Sequence, residues 1–342
     1  MGETNVKTRG PATLRDVAAH AGVSQSTVSN VINNPVRVSE ATAARVTAAI
    51  RALNYVPNDA ARALRTHDSR AVGILLSETT GPFYTAVIHG ADQVLLRNHF
   101  ASLVASSYMD EKSTLRLLHL FAAQRIRGLI VNPVSAKIGP LLQLVERGLP
   151  VVFIDADIHR DDICSVSVDH TVGARLVVEH LKALGRRRMV FARGREELPS
   201  ILLRLTEARR VCSELGLEFE EMITSDYFVT GGLEAGAILG SRPAARMPDA
   251  VFCANDVYAM GLLTSLAQRG IQVPSQVAVV GYDDTDLAQV GRVPLTTIRQ
   301  PAARIGDQAA ALLLSEMTEP GEHAHETVRY YPELIIRGST VG

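Results

Sequence analysis

The sequence predicts a small all-helical head joined to a larger α/β core built from two doubly wound parallel sheets. Three observations carry this prediction. The chain has 342 residues, which at roughly 150 per domain allows two or three domains. Residues up to about 55 show capped, helix-spaced apolar patterns. From Ala71 onward, short apolar runs alternate with amphipathic stretches, and the series occurs twice. Apolar types make up 46% of the chain and charged types 21%, so core material is ample and disorder as the main state is excluded.

Net charge is −1, which argues against a polyanion partner until it is split along the chain. Residues 1–67 hold eight Arg and Lys against four acids, and the remainder holds 27 bases against 32 acids, giving +4 and −5. A basic head on an acidic body suggests two tasks, one of them with a polyanion.

Within the head, residues 1–12 are polar and patternless and read as a disordered N-terminus. Thr13-Leu-Arg-Asp16 reads as a capping box, and Leu14, Val17, Ala18 and Ala21 recur at helical spacing. Gly22 suits the left-handed conformation that ends a helix. Ser24 caps a second helix, 25–32, with Val28 and Val31 inward, and Asn33-Asn34-Pro35 stops it. Ser39 caps a third, bearing Ala43, Val46, Ile50 and Leu53. Two short helices joined by a tight glycine turn and braced by a third make a helix-turn-helix over 13–57. In that plan the second helix enters the major groove. Gln25, Ser26, Ser29 and Asn30 are its exposed hydrogen-bonding groups, and Gln and Asn suit the adenine edge. Thr13, Leu14, Ser24 and Thr27 complete the predicted DNA-facing set.

Residues 58–67 follow as a hinge. Asn58 caps a segment of good helix formers that is too short to be a stable isolated helix. Arg62 offers phosphate neutralisation, and Leu64 is an apolar residue suited to wedging into a minor groove. A plain interdomain linker is the alternative.

In the core, 72–76, 101–105, 128–131 and 151–154 read as buried strands of one series, and 188–192, 250–253 and 277–280 as those of a second. Strand–helix alternation implies parallel sheets covered on both faces, with ligands beyond the carboxyl ends of the strands. That rule selects Asn132, Asp155, Asn255 and Asp283, amides and carboxylates able to hold several hydroxyls at once. For any one strand-end Asp, capping the next helix is an equal alternative. Arg204 and Tyr227 add a donor fork and a stacking surface. The first lobe is assigned 71–168 with 298–325, and the second 169–297 with 326–340.

Residues 13–65, read as Thr-Leu-Arg-Asp-Val-Ala, Ala-Gly-Val-Ser, Thr-Val-Ser-Asn, Leu-Asn-Tyr-Val-Pro-Asn and Ala-Arg-Ala-Leu-Arg, resemble the DNA-binding head and hinge of the lac-repressor family of bacterial transcription regulators. The core resembles the same family from Val72 to Thr340, most specifically at 255–261, 279–284, 295–301 and 335–340. The resemblance implies a two-lobed core like that of periplasmic binding proteins. It also implies base reading by Gln25 and Ser26, phosphate anchoring by Thr27 and Ser29, and minor-groove insertion by Leu64. Asp155, Arg204, Asn255 and Asp283 match the family's effector-contacting residues, with Phe83, Asn132 and Tyr227 beside them. Two departures stand out: Asn30 occupies a position that is often Arg, and the Arg204–Glu207 stretch lacks a glycine usual in relatives.

The expected protein is therefore a ligand-responsive DNA-binding transcription regulator, most readily a repressor, acting as a homodimer on a pseudo-palindromic operator. Its expected effector is a sugar or derivative, with a nucleoside or purine behind. The alternative is a sugar-binding receptor-like protein without a DNA role, which leaves 13–65 unexplained. An enzyme is not expected: no G-x-G-x-x-G or P-loop follows a strand, and no nucleophile elbow is present. No apolar run approaches the ~18–20 residues of a membrane helix, and the polar N-terminus lacks a signal-peptide core. Three scattered cysteines fit reduced thiols in a cytoplasm. They lack metal-ligand spacing, and His323-Ala-His325 reads as a solvated tract, so neither metal nor cofactor is expected.

Overall fold

The computed structural model describes residues 12–33, 35–55, 69–135, 137–156, 158 and 160–341. The chain divides into two compact units, Met1–Ser69 and Arg70–Gly342.

In the first unit, helix α1 (Leu14–Ala21) opens with the predicted capping box. The Asp16 amide donates to Thr13 Oγ1 at 3.3 Å, and the Thr13 amide donates to Asp16 Oδ2 at 2.8 Å. Gly22 ends the helix at φ +63°, a region that costs a residue with a Cβ but not glycine. Helix α2 (Gln25–Asn33) is capped by Ser24, whose Oγ accepts from the Thr27 amide at 3.1 Å. Helix α3 (Glu40–Ala52) braces both. Ser39 precedes it without a side-chain bond to the backbone, its hydroxyl donating instead to Thr42 Oγ1 at 3.0 Å. Val17, Ala18, Ala21, Val28, Val46, Ala49 and Tyr55 form the buried centre. Asn58, Arg62 and Leu64 of the predicted hinge lie outside the described residues.

The second unit contains two parallel sheets. Its first lobe comprises β1 (Ala71–Leu76), α4 (Pro82–Arg97), β2 (Ala101–Ser106), α5 (Glu111–Ala123), β3 (Gly128–Val131), α6 (Gly139–Glu146), β4 (Val151–Ile154) and β5 (Cys164–Val168). The chain then builds the second lobe from α7 (His170–Ala183), β6 (Arg188–Gly194), α8 (Pro199–Glu214), β7 (Glu218–Thr224), α9 (Val229–Gly240), β8 (Ala250–Cys253), α10 (Asp256–Gln268), β9 (Ala278–Val280) and α11 (Leu287–Val290). It returns through β10 (Thr297–Arg299) to α12 (Ala302–Thr318) and β11 (Thr327–Tyr330), and β12 (Glu333–Ile335) follows.

The strand orders are β11-β5-β4-β3-β1-β2 in the first sheet and β7-β6-β8-β9 in the second, all parallel, while β10 and β12 pair antiparallel. The assignment of 326–340 to the second lobe fails at its start. Thr327–Tyr330 pairs with β5 in the first sheet, and the chain leaves that lobe only after Tyr330. The connections at 168–170, 299–302 and 330–333 make three crossings between lobes.

Each sheet is covered on both faces by apolar clusters. In the first lobe α4 and α12 approach closely enough that a Cβ on Gly306 would lie 1.9 Å from Val87 O. Only glycine permits that distance. The Arg204–Glu207 stretch, where a family glycine is lacking, is uninterrupted helix within α8.

Candidate DNA-reading face and ligand cleft

On α2 of the head, Gln25, Ser26 and Asn30 are exposed, while Thr27 and Ser29 are half-buried. The cap orders this start of the helix: Ser24 Oγ lies 2.7 Å from Ser26 Oγ and 2.8 Å from Thr27 Oγ1. Val28 is fully buried beneath them, so one side of the turn anchors the helix while Gln25 and Asn30 project from it. Thr13 is exposed and Leu14 half-buried at the start of α1. A helix that presents amides and hydroxyls on a rigid three-helix base can exchange bidentate bonds with base edges.

In the core, one cleft is lined from both lobes. Phe83, Tyr84 and Asp155 come from the first lobe. Ser200, Arg204, Tyr227, Phe228, Asn255 and Asp283 come from the second. Six of the seven sequence-predicted cleft residues are therefore brought together. Asn132 is the exception. It is buried one layer below, where its Oδ1 accepts from Tyr84 Oη at 3.1 Å and from the Ser77 amide at 3.3 Å. The single Tyr84 proton is shared between Asn132 Oδ1 and Asp155 Oδ2, the latter also 3.1 Å away, so Asn132 reaches the cleft through that phenol.

Asp155 directly follows β4 at φ +52°, a left-handed turn that swings its carboxylate away from the strand end. It lies 2.9 Å from His170 Nε2 and 3.0 Å from Ser200 Oγ. Arg204 Nε donates to His170 Nδ1 at 3.3 Å, so Nδ1 is the acceptor and Nε2 carries the proton donated to Asp155. Burial, joined by the Arg204 cation, holds His170 below its usual pKa, in keeping with a neutral ring. Burial alone would raise Asp155. The His170 bond, the charges around it and the Ser200 hydroxyl outweigh that and leave it lower than usual.

Arg204 stacks 3.6 Å above the Tyr282 ring and donates from Nη1 to Ala254 O at 2.7 Å. Its guanidinium is thus fixed in place before any ligand arrives. Asn255 is the N-cap of α10, with Oδ1 accepting from the Tyr258 amide at 2.8 Å and Nδ2 donating to Tyr227 O at 3.2 Å. Both readings of a strand-end polar residue, cap and cleft wall, are met at this one position. Tyr227 is buried and donates to Glu196 O. Asp283, at φ +114°, accepts from Gln300 Nε2 at 2.7 Å. Burial and the neighbouring Asp256 carboxylate push it well above its usual pKa.

Tyr84, His170, Ser200 and Phe228 were not predicted. Tyr84 adjoins the predicted Phe83, and Ser200 lies one helical turn before Arg204, so i±4 spacing carried a signal for one of them. His170 follows the Ser-rich strand β5, which has no apolar run to mark it.

The DNA-reading helix and the two-lobed cleft together define a DNA-binding transcription regulator of the helix-turn-helix class. Residues 13–58 match the model described as bacterial regulatory proteins, lacI family, and residues 178–340 match that of a periplasmic binding protein-like domain. The chain is 33% identical to the ribose operon repressor of Escherichia coli K12 over 96% of this chain and 99% of that one. It is 31% identical to the HTH-type transcriptional repressor PurR of Photobacterium profundum, over 96% and 98%. Among solved structures, a lacI-family regulator from Silicibacter pomeroyi superposes with a TM-score of 0.87 at 26% identity, covering 96% and 99% of the two chains. The lac repressor dimer bound to operator and an anti-inducer gives a TM-score of 0.83 at 27% identity, covering 97% and 100%. The chain belongs to the lacI family of bacterial regulatory proteins. Among the described residues no helix is long and apolar enough to cross a membrane.

Proposed function

We propose that this regulator is a dimeric, cytoplasmic repressor whose operator affinity is set by a sugar or sugar derivative held between the lobes. The convergence of Asp155, Arg204, Asn255 and Asp283 on one cleft carries this reading. Two carboxylates, a fixed cationic fork and an amide suit a ring with hydroxyls on several sides, while Phe83 and Phe228 supply apolar surface for its faces. The names of relatives agree: a ribose operon repressor is 33% identical, and a solved cellobiose complex of a transcriptional regulator is 29% identical.

Gln25, Ser26, Ser29 and Asn30 read the operator, with Thr27 anchoring phosphate and Arg62 and Leu64 serving the hinge. Exposed apolar side chains on the first lobe, Leu96, Val104, Leu115 and Leu120, offer surface for a second copy. Two heads then meet a pseudo-palindromic site. Effector binding shifts the lobes about their three crossings and alters the hinge, and operator affinity follows by linkage. Catalysis has no support in the cleft. Ser200 donates to Asp155, and His170 Nδ1 is already taken up by Arg204 Nε and Tyr282 Oη, so the Ser200 hydroxyl has no histidine partner.

The test is titration of the full chain onto duplexes selected from a random pool, with ribose, other pentoses, hexoses, disaccharides and purines added in turn. One sugar should change operator affinity by roughly 5–150-fold, the range of ordinary coupling. A response to purines alone overturns the sugar assignment. Unchanged affinity with every compound overturns the allosteric one.

A further inference from the structure

A second polar cluster lies at the amino end of the first sheet's strands, away from the cleft. Cys164 begins β5, and the turn between α12 and β11 lays two imidazoles over it. His323 Nε2 is 3.2 Å from Cys164 Sγ, and His325 Nδ1 is 3.7 Å away. The three ligand atoms lie within 4.8 Å of one another. With Zn–S near 2.3 Å and Zn–N near 2.0–2.1 Å, a tetrahedral angle places sulfur and nitrogen about 3.6 Å apart. The observed separations bracket that value, so one ion fits among the three atoms with little movement.

The surroundings are those of a ligand set. His323 Nδ1 lies 3.1 Å from Ser315 Oγ, which orients the ring and leaves Nε2 toward the sulfur. The Glu326 amide donates to Cys164 Sγ at 3.4 Å, which holds the sulfur in position. Glu316, on the last turn of α12, has a buried Oε2 with no hydrogen-bond partner. Cys164 is buried while neither imidazole is, so an ion has an approach from the His side. Cys212 and Cys253 are also buried, yet neither belongs to such a group among the described residues.

We propose that Cys164, His323 and His325 form a binding site for a late first-row divalent cation, zinc or a congener, separate from the effector cleft. A thiolate with two imidazoles is the donor set that selects such ions over magnesium or calcium. Three protein ligands leave the fourth position to water. The bound ion ties the turn after α12 to β5. It thereby fixes the start of β11, the strand that leads into the last crossing between lobes.

Cobalt substitution tests this on the full-length protein, reduced and stripped of metal. Co²⁺ alone is titrated while absorbance is followed. One equivalent per chain should give the near-ultraviolet thiolate-to-cobalt band and the visible bands of a tetrahedral site, and Zn²⁺ should abolish both. Cys164→Ser should lose the thiolate band, His325→Gln should weaken cobalt binding by about tenfold or more, and Cys212→Ser should behave as the parent. Ser315→Ala should weaken cobalt binding by about tenfold or more, as removal of an orienting partner does. Should Cys164→Ser fail to fold, His325→Gln, near the surface, decides alone. Absence of the thiolate band in the parent protein, or a cobalt affinity unchanged in His325→Gln, overturns the proposal.

Discussion

In the head, Gln25, Ser26 and Asn30 stand on a single helix within six consecutive residues, held by one buried valine and one serine cap. In the cleft, Phe83, Asp155, Arg204, Asn255 and Asp283 arrive from separate elements of two lobes, spread over some two hundred residues of chain. The head's chemistry therefore depends on local geometry that three short helices can hold. The cleft's chemistry depends on long-range packing, and each of its polar groups is bound to another before a ligand enters. A change in the cleft propagates along those bonds, whereas a change on the reading face stays where it is made.

Arg204→Ala should break the comparison most sharply. It removes the fork over Tyr282, unbinds Ala254 O and leaves His170 Nδ1 without its charged donor. Truncating one member of a buried charged network costs about 2–5 kcal/mol in binding. The effector response should vanish while operator binding survives, as parallel DNA titrations with and without sugar will show. A normal response removes Arg204 from the site.

Gly306→Val probes the packing beneath the cleft. Its new side chain would start 1.9 Å from Val87 O, on the helix that also carries Phe83 and Tyr84. Overpacking of this kind costs roughly 1–3 kcal/mol, so the thermal midpoint should fall and sugar affinity with it. An unchanged midpoint means the two helices separate freely, and the core is then looser than the structure implies.

Asp256 offers a pH test of the same region. It is buried below Asp283, accepting from the Thr285 amide at 2.8 Å and from Thr297 Oγ1 at 2.6 Å. Burial pushes its pKa up from 3.8 to about 7. The folded state thus retains a proton that the unfolded chain releases near its ordinary value. The stability this contributes is fully present below the unfolded pKa and is lost as pH rises through about 7. Asp256→Asn never ionises and keeps the shape of the bonding site. Its midpoint relative to the parent should therefore climb between pH 4 and pH 8, with each ~1 kcal/mol appearing as roughly 2–4 °C. A difference that stays flat with pH places the proton elsewhere.

The same contrast explains what could be read before folding. Capping box, left-handed glycine and helix spacing are short-range signals, and Thr13, Gly22 and Ser24 perform those roles in the structure. Strand-end positions also have a sequence signal, the end of an apolar run, which located Asp155, Asn255 and Asp283. Strand β5 gave none, because Ser165 and Ser167 alternate with its apolar residues although both are buried. Without a visible β5, nothing in the sequence places His170 beside the cleft, Cys164 at the other end of that strand, or β11 in the first lobe. Three ligand atoms that meet across some 160 residues leave no spacing pattern, so the Cys164 cluster required the fold.

The smallest expected effect belongs to the head. Ser24→Ala removes the acceptor of the Thr27 amide and the hydroxyl shared by Ser26 and Thr27. Loss of such a cap costs about 1 kcal/mol. That is a modest share of the core's stability but a large one for a unit whose centre, among the described residues, is seven buried apolar side chains. Operator affinity should drop because the first turn of α2 frays, carrying Gln25 and Ser26 with it, while sugar binding stays at the parent value. Ser24→Asp, which keeps an N-cap acceptor, should restore helix order without restoring full affinity, since a carboxylate there faces phosphate. Recovery of both together assigns Ser24 a purely structural role, and loss of sugar binding in either variant breaks the separation between head and cleft.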